Sequence, residues 1–242
     1  MSSATITTSA RLMNSTPQTE EQAMVRKVAV SSFLGNFIEW FDYASYSYFA
    51  TTIALVFFPT DNHTVAMLQT FGVFALSFIL RPIGALFWGS YGDKKGRKAA
   101  LAHSIMFMSG ASFLIGCLPS YSVIGVGAPI LLLLLRMVQG FSASGEYAGA
   151  ATFLGEYAPT SKRGIYCSLI PASTAIGLLA GSTLATLMTA NMNSSAMVGW
   201  GWRVPFLLAG PLGLIVLYIR AKLADSPVYQ SMNDALESKG AA

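Results

Sequence analysis

The sequence predicts an all-α integral membrane protein with six transmembrane helices. Of its 242 residues, 53% are hydrophobic and only 11% are charged, and its mean hydropathy is +0.53. Soluble domains carry about 25% charged residues, so this chain cannot cover a surface that faces water. Apolar segments of about the 20 residues that cross a bilayer recur along the chain, and polar turns separate them.

Turn signals bound each predicted span. Pro59 ends the first span, the glycine-rich basic hairpin 89–98 joins the second to the third, and Pro119 ends the third. The polar turns 159–164 and 191–201 flank the fifth. We place the spans at 28–58, 65–91, 99–118, 126–157, 165–190 and 202–223.

Both ends of the chain are polar. Residues 1–27 have no short apolar core of the kind found in a cleavable signal, and we expect a disordered cytoplasmic tail. Residues 224–242 are expected to begin a central cytoplasmic loop, in which Ser226 before Pro227 is placed to cap an interfacial helix.

The basic residues fix the orientation. Arg81, Arg136 and Arg203 fall within spans or at their edges, and the predicted outer loops contain no Lys or Arg. The other twelve of the fifteen are all placed on one side: Arg11, Arg26, Lys27, Lys94, Lys95, Arg97, Lys98, Lys162, Arg163, Arg220, Lys222 and Lys239. The positive-inside rule then predicts that both termini are cytoplasmic. Because these cations lie in short loops beside apolar spans, the net charge of +4 indicates contact with a lipid bilayer and no nucleic-acid partner.

Two carboxylates lie within the first span. Glu39, Tyr43 and Tyr46 share one helical face with Asn36, and Asp42 lies beside them. A carboxylate at the bilayer centre costs about 2.5–3.5 kcal/mol, so two within four residues require a function or a partner. At least one of them is expected to couple transport to an ion or proton, and the alternative is structural pairing with an arginine.

The fourth span repeats this spacing. Arg136, Gln139, Ala143 and Glu146 follow i, i+3, i+7, i+10. Arg136 and Glu146 are about 15 Å apart along the helix axis, so each needs a partner on another helix or on a solute. Arg136 is expected to hold a substrate carboxylate or to tune a first-span acid, or else to form a structural ion pair. Arg81 is expected to join the buried polar network.

Aromatic residues accompany these charges, and two interpretations stay open. The set Trp40, Phe41, Tyr43 and Tyr46 can attract a quaternary ammonium through cation–π contact, or it can be ordinary membrane-span packing.

A series of motifs makes a resemblance specific. In chain order they are Gly35-Asn36 with Glu39-Trp40-Phe41-Asp42, Arg81-Pro82-x-Gly84, Gly89 to Lys98, Gln139-Gly140-Phe141-Ser142 with Gly145-Glu146-Tyr147, Lys162-Arg163-Gly164, and Gly201-Trp202-Arg203-x-Pro205-Phe206. Over residues 27–230 the chain resembles the metabolite–proton symporter family of the major facilitator superfamily. Within that family it is most similar to transporters that import osmoprotectants such as proline and glycine betaine.

The resemblance implies a fold and a function. Members have two six-helix halves with the solute held between them, so the chain is expected to be the N-terminal half, with the C-terminal six-helix half as its missing partner. It implies proton-coupled symport of a small metabolite, preferably a proline- or betaine-like zwitterion, across the bacterial inner membrane. The proton is the coupling ion and no other cofactor is implied. No nucleophile–base pair or metal-ligand cluster is visible in the sequence, so we do not expect an enzyme.

The resemblance also assigns a role to the hairpin between the second and third spans. Its residues form a conformational gate loop: Gly89, Asp93, Lys94, Gly96, Arg97 and Lys98. In the family the Asp of this loop, here Asp93, contacts the second half, and Glu156 is expected to pair with the loop. Ala143-Ser144 stands where the family usually has a pair of glycines. Two alternatives remain: a truncated or partner-dependent module that transports nothing alone, and a symporter for organic acids such as shikimate, citrate or 2-oxoglutarate.

Overall fold

The computed structural model describes residues 16–223, and these are helical with no β-strand. The helices are α1 (Thr16–Tyr48), α2 (Ala50–Phe57), α3 (His63–Ile79), α4 (Arg81–Lys95), α5 (Arg97–Cys117), α6 (Tyr121–Ile124), α7 (Gly127–Ala143), α8 (Glu146–Tyr157), α9 (Arg163–Cys167), α10 (Leu169–Asn191), α11 (Ser194–Gly199) and α12 (Val204–Ala221). Short 3₁₀ turns at Thr160–Lys162 and Gly201–Arg203 precede α9 and α12.

Most of the predicted spans are built from two consecutive helices. The first span comprises α1 and α2, the second α3 and α4, the fourth α7 and α8, and the fifth α9 and α10, while α5 and α12 are single helices. The second span breaks at Leu80, immediately before Arg81-Pro82. Proline has no N–H to continue the hydrogen-bond ladder and disfavours helical geometry in the residue before it, which explains a break at this place.

Five helical segments are long and apolar enough to cross a membrane. They are His63–Lys95, Arg97–Cys117, Gly127–Tyr157, Thr160–Asn191 and Gly201–Ala221. They correspond to the second to sixth predicted spans.

The first span is not among these five segments, because its polar stripe lowers its hydropathy. It is nevertheless long enough, since α1 and α2 together extend for about 60 Å at 1.5 Å per residue. It is also enclosed: α1 packs against α10, α12 and α8, and its polar side chains Asn36, Glu39 and Asp42 are buried.

The N-terminal boundary differs from the prediction. α1 begins at Thr16, so residues 16–27 of the segment expected to be a disordered tail are helical. The physical reason lies in the sequence, since Gln22, Ala23 and Met24 are good helix formers and continue the helical run into the span. The rest of that segment, residues 1–15, and the predicted loop at 224–242 lie outside the described residues.

Two glycines bring α1 and α10 close together. A Cβ atom added at Gly177 would lie 2.7 Å from the backbone oxygen of Phe37, and one added at Gly181 would lie 2.7 Å from Cβ of Ala44. Any side chain larger than hydrogen would push the helices apart. The close contact expected of small residues between membrane helices is therefore present.

The basic hairpin joins α4 to α5 through Gly96. This glycine has a φ of 94°, a conformation that residues with a Cβ rarely adopt. Arg97 lies 3.7 Å from Asp93 and 3.6 Å from Glu156, so the predicted pairing of Glu156 with this loop is confirmed.

Candidate functional site

Three carboxylate–arginine pairs lie inside the helix bundle. They are Glu39 with Arg81, Asp42 with Arg136, and Glu146 with Arg220. All three lie beside α1, because Glu39 and Asp42 belong to this helix and the third pair fills the space beside its Gly35. Every pair joins different helices, and each balances one negative charge with one positive charge.

The Asp42 pair is the most enclosed of the two that involve α1 residues. Nη1 of Arg136 donates a hydrogen bond of 2.7 Å to Oδ2 of Asp42, and Ser112 donates one of 2.9 Å to Oδ1. Gln139 donates in turn to the hydroxyl of Ser112. The Arg136 side chain is 1% exposed and its guanidinium lies 3.8 Å from the centre of the Tyr46 ring. Side chains from α5 and α7 thus bury Asp42, whose side chain is 5% exposed.

The Glu39 pair differs because its arginine reaches the surface of the bundle. Nη2 of Arg81 donates to Oε1 of Glu39 and to the hydroxyl of Tyr43. The Arg81 side chain is 26% exposed, whereas that of Glu39 is 1% exposed. The guanidinium lies 4.7 Å from the ring centre of Phe78 and 5.1 Å from that of Tyr43. Oε2 of Glu39 and Nε of Arg81 are buried and have no hydrogen-bond partner.

The third pair corrects the sequence prediction. Arg220 was placed among the cytoplasmic loop cations, but its side chain is 1% exposed and forms a two-point pair with Glu146. It also donates to the backbone oxygens of Leu101 and Ser31. The signal was present in the sequence, because Gly213, Val216 and Arg220 follow the i, i+3, i+7 spacing of one buried helical face.

The polar residues predicted to share one face of the first span contact two different helices, α10 and α3. Asn36 donates to the backbone oxygen of Ile170 at 3.0 Å and to the hydroxyl of Ser173 at 2.8 Å, so it belongs to the α1–α10 contact. Tyr46 faces the other way, where its hydroxyl donates a 2.9 Å hydrogen bond to the backbone oxygen of Thr70. Ser112, which the prediction did not include, links Asp42 to Gln139.

The four first-span aromatic residues do not form one cage. Tyr46 covers the guanidinium of Arg136 and Tyr43 covers that of Arg81. Trp40 meets Tyr43 edge to face at 5.8 Å, and Phe41 stacks on another ring of α1. The faces of the two tyrosines are therefore occupied by arginines of the chain itself.

The predicted gate residues lie apart from the three pairs. Gly89 and Asp93 are on exposed positions of α4, and Lys94 is in its last turn, while Arg97 and Lys98 begin α5. Within residues 16–223 no group of three His, Cys, Asp or Glu side chains is placed to hold a metal ion.

The buried pairs define what the site can do chemically. A carboxylate and a guanidinium enclosed together stabilise each other, whereas either one alone would be an uncompensated charge in a low-dielectric interior. If the carboxylate is protonated, the arginine loses its counter-charge and requires another negative partner. The arrival of another charged group likewise changes which groups can pair. Such an arrangement can couple the binding of a proton or solute to movement of a helix.

Comparisons with known proteins identify the family. The family described as "Sugar (and other) transporter" matches residues 27–242. The chain is 42% identical over 217 residues to the "Proline/betaine transporter" of Salmonella typhimurium and to the "Glycine betaine/proline/ectoine/pipecolic acid transporter OusA" of Dickeya dadantii. The match covers 90% of this chain and 43% of each relative, so the chain spans less than half the length of these proteins.

Solved transporter structures also resemble the fold of this chain. The xylose transporter XylE from E. coli, in a partially occluded inward open conformation, superimposes with a TM-score of 0.78 at 17% sequence identity over 87% of this chain and 52% of XylE. At this identity the likeness concerns the fold alone. The chain belongs to the sugar (and other) transporter family of the major facilitator superfamily, and it has the fold of that superfamily's N-terminal half.

Proposed function

We propose that this chain is the N-terminal half of a proton-coupled symporter that carries a small zwitterionic osmoprotectant across the bacterial inner membrane. The observation that carries the proposal is the pairing of two first-span carboxylates, Glu39 and Asp42, with arginines of the second and fourth spans. The 42% identity to transporters named for proline and betaine supports this class of solute.

Asp42 is the proposed proton carrier. It is enclosed by Arg136 and Ser112, and neither contact reaches the surface of the bundle. When Asp42 is neutral, its cost of residing in the low-dielectric interior falls, and Arg136 is left needing another negative partner. Proton binding at Asp42 would thereby change the packing between the first and fourth spans. Glu39 and Glu146 are the other carrier candidates.

The proposal is tested by uptake of labelled proline and glycine betaine into cells or proteoliposomes that contain the full-length gene product. We expect accumulation against a gradient when the interior is alkaline and loss of accumulation when the proton gradient is collapsed. Uptake that is indifferent to the proton gradient would contradict proton coupling.

The carrier assignment is tested by the amide variants Asp42→Asn and Glu39→Gln. Asp42→Asn is expected to abolish concentrative uptake while exchange of solute across the membrane persists, because an amide cannot release a proton. Asp61→Asn is the control, since Asp61 is an exposed acid of the turn between α2 and α3 and belongs neither to the three pairs nor to the basic hairpin. Undiminished uptake in both amide variants would remove these acids from the mechanism. Accumulation of citrate or shikimate without any of proline or betaine would favour an organic-acid symporter.

A further inference from the structure

The Glu39–Arg81 pair differs from the other two pairs in a way that bears on solute binding. Arg81 is 26% exposed, whereas Arg136 and Arg220 are each 1% exposed. A charged group at mid-span does not face lipid tails without large cost, so the exposed edge of Arg81 faces the interior of the complete transporter. Of the three arginines, Arg81 is the one that a solute can reach.

The groups around Arg81 are of the kind that stabilise a cation. Its guanidinium lies against two adjacent rings, 4.7 Å from the centre of Phe78 and 5.1 Å from that of Tyr43, and beside the carboxylate of Glu39. An ammonium group needs the same surroundings, namely aromatic faces and a negative counter-charge. The arginine therefore occupies the position that suits the positive end of a zwitterion.

The backbone next to Arg81 permits it to move. Arg81 is the first residue of α4 and follows the break at Leu80, where the α3 and α4 hydrogen-bond ladders are interrupted before Pro82. One carboxylate oxygen of Glu39 and Nε of Arg81 have no hydrogen-bond partner, so the pair does not use all of its bonding capacity, and the same holds for Nε and Nη2 of Arg136. The difference between the two arginines is therefore their position in the backbone. Arg136, in contrast, lies within the continuous helix α7.

The charges of Glu39 and Arg81 favour a solute that has both a positive and a negative group. A solute with only a negative charge that binds Arg81 leaves Glu39 buried without a counter-ion, and a solute with only a positive charge leaves Arg81 without one. A zwitterion supplies both charges, so its carboxylate pairs with Arg81 while its ammonium group takes the place of the guanidinium beside Glu39. The buried site stays neutral before and after binding.

We propose that Glu39 and Arg81 form the solute subsite, and that a zwitterion with a carboxylate and an ammonium group binds by inserting between them and exchanging partners with both. This inference rests on the proposed function, which it deepens by naming the residues that contact the solute and the charge type that they accept.

The test uses arginine-specific modification by phenylglyoxal of the full-length protein in lipid nanodiscs, with the modified residue identified by peptide mass spectrometry. We expect glycine betaine to slow modification of Arg81 roughly tenfold at a concentration ten times its dissociation constant. Arg203, which bonds backbone oxygens at the other end of the bundle, is the internal control and should react at an unchanged rate.

Two analogues separate partner exchange from simple charge binding. 3,3-Dimethylbutyrate has the shape of glycine betaine but no positive charge, and choline has the ammonium group but no carboxylate. We expect neither to protect Arg81 in the unmodified protein. Protection by 3,3-dimethylbutyrate equal to that by betaine would overturn the inference in favour of a plain anion site. Absence of protection by both betaine and proline would also overturn it.

A variant reverses the selectivity. In Glu39→Gln the counter-charge is gone, so 3,3-dimethylbutyrate is expected to protect Arg81 at least as well as betaine does. Asp61→Asn, at an exposed acid outside the pairs and the gate loop, should retain the preference for betaine. The analogue series on the unmodified protein decides the question if Glu39→Gln fails to fold.

The uptake assay keeps the two proposals distinguishable. Uptake of betaine without protection of Arg81 overturns the subsite alone, whereas protection of Arg81 without proton-dependent uptake overturns the proposed transport function alone.

Discussion

Gly35 is the glycine whose missing side chain leaves room for charged groups of the interior. A Cβ atom added there would overlap the carboxylate of Glu146 and the guanidinium of Arg220. Both of these groups are fully buried and bonded to each other, so neither can move aside without breaking the pair. The absence of a side chain at Gly35 is thus what makes room for an ion pair between α8 and α12.

The substitution Gly35→Ala is expected to destabilise the protein by about 1–3 kcal/mol, the usual cost of overpacking a filled interior. Gly72→Ala is the matched control, because Gly72 lies in helix α3 and an added Cβ would meet no atom within 4 Å. The midpoint of thermal unfolding in detergent measures the difference. A loss of stability at Gly72 as large as that at Gly35 would show that the effect is not due to the pair.

At the scale of helices, Arg220 connects α12 to three others. It pairs with Glu146 of α8 and donates to backbone oxygens of Leu101 in α5 and Ser31 in α1. Glu146 is the first residue of α8, where the fourth span is interrupted after α7. The ion pair therefore fixes the second half of the broken fourth span against the sixth span.

Removing one member of this pair is expected to be worse than removing both. Glu146→Gln or Arg220→Gln alone should cost about 3–5 kcal/mol, because each leaves a buried uncompensated charge or polar group. The double variant Glu146→Leu with Arg220→Met should recover most of that loss, since two apolar side chains need no partner. The free energies of unfolding of the two single variants and the double variant measure the coupling between Glu146 and Arg220. A loss in the double variant equal to the sum of the two single losses would contradict that coupling.

At the scale of the whole molecule, the distribution of cations predicts the orientation in the membrane. We expect a cysteine introduced at Thr60 to react with a membrane-impermeant maleimide in intact cells, and one at Ser161 to react only after the membrane is opened. Cys117 and Cys167 must first be replaced, because both are free thiols. The opposite pattern would invert the topology and place the basic hairpin outside the cell.

Much of this architecture is predictable from the sequence, but the contacts between helices are not. The second span was predicted at 65–91 and the helices run from His63 to Lys95, because apolar length and turn residues fix where helices begin and end. The helical spacing also placed Glu39, Asp42 and Arg136 on inward faces. The sequence allowed Arg136 to pair with a first-span acid as one of several alternatives, and the structure shows that this acid is Asp42. Spacing says nothing about which helices are neighbours, so the individual partners were not predictable.

Arg220 illustrates why one assignment was wrong. The spacing of Gly213, Val216 and Arg220 is compatible with an inward position, but a cation in the last turn of a span, two residues before Lys222, also fits a loop cation. Its buried position depends on Glu146, which is 74 residues earlier in the chain. Only the packing of α12 against α5 and α1, which brings Arg220 to Glu146, distinguishes the two possibilities.

The pairing of α1 with later spans has a consequence for biogenesis. Arg136 follows Asp42 by 94 residues, so the first span leaves the ribosome before this counter-ion has been synthesised. We expect the nascent first span to wait at the translocon, hydrated or shielded by it, until the second and fourth spans arrive. Loss of Arg136 should then appear first as failed membrane integration and proteolysis of the newborn chain, before any defect in a mature transporter can be measured.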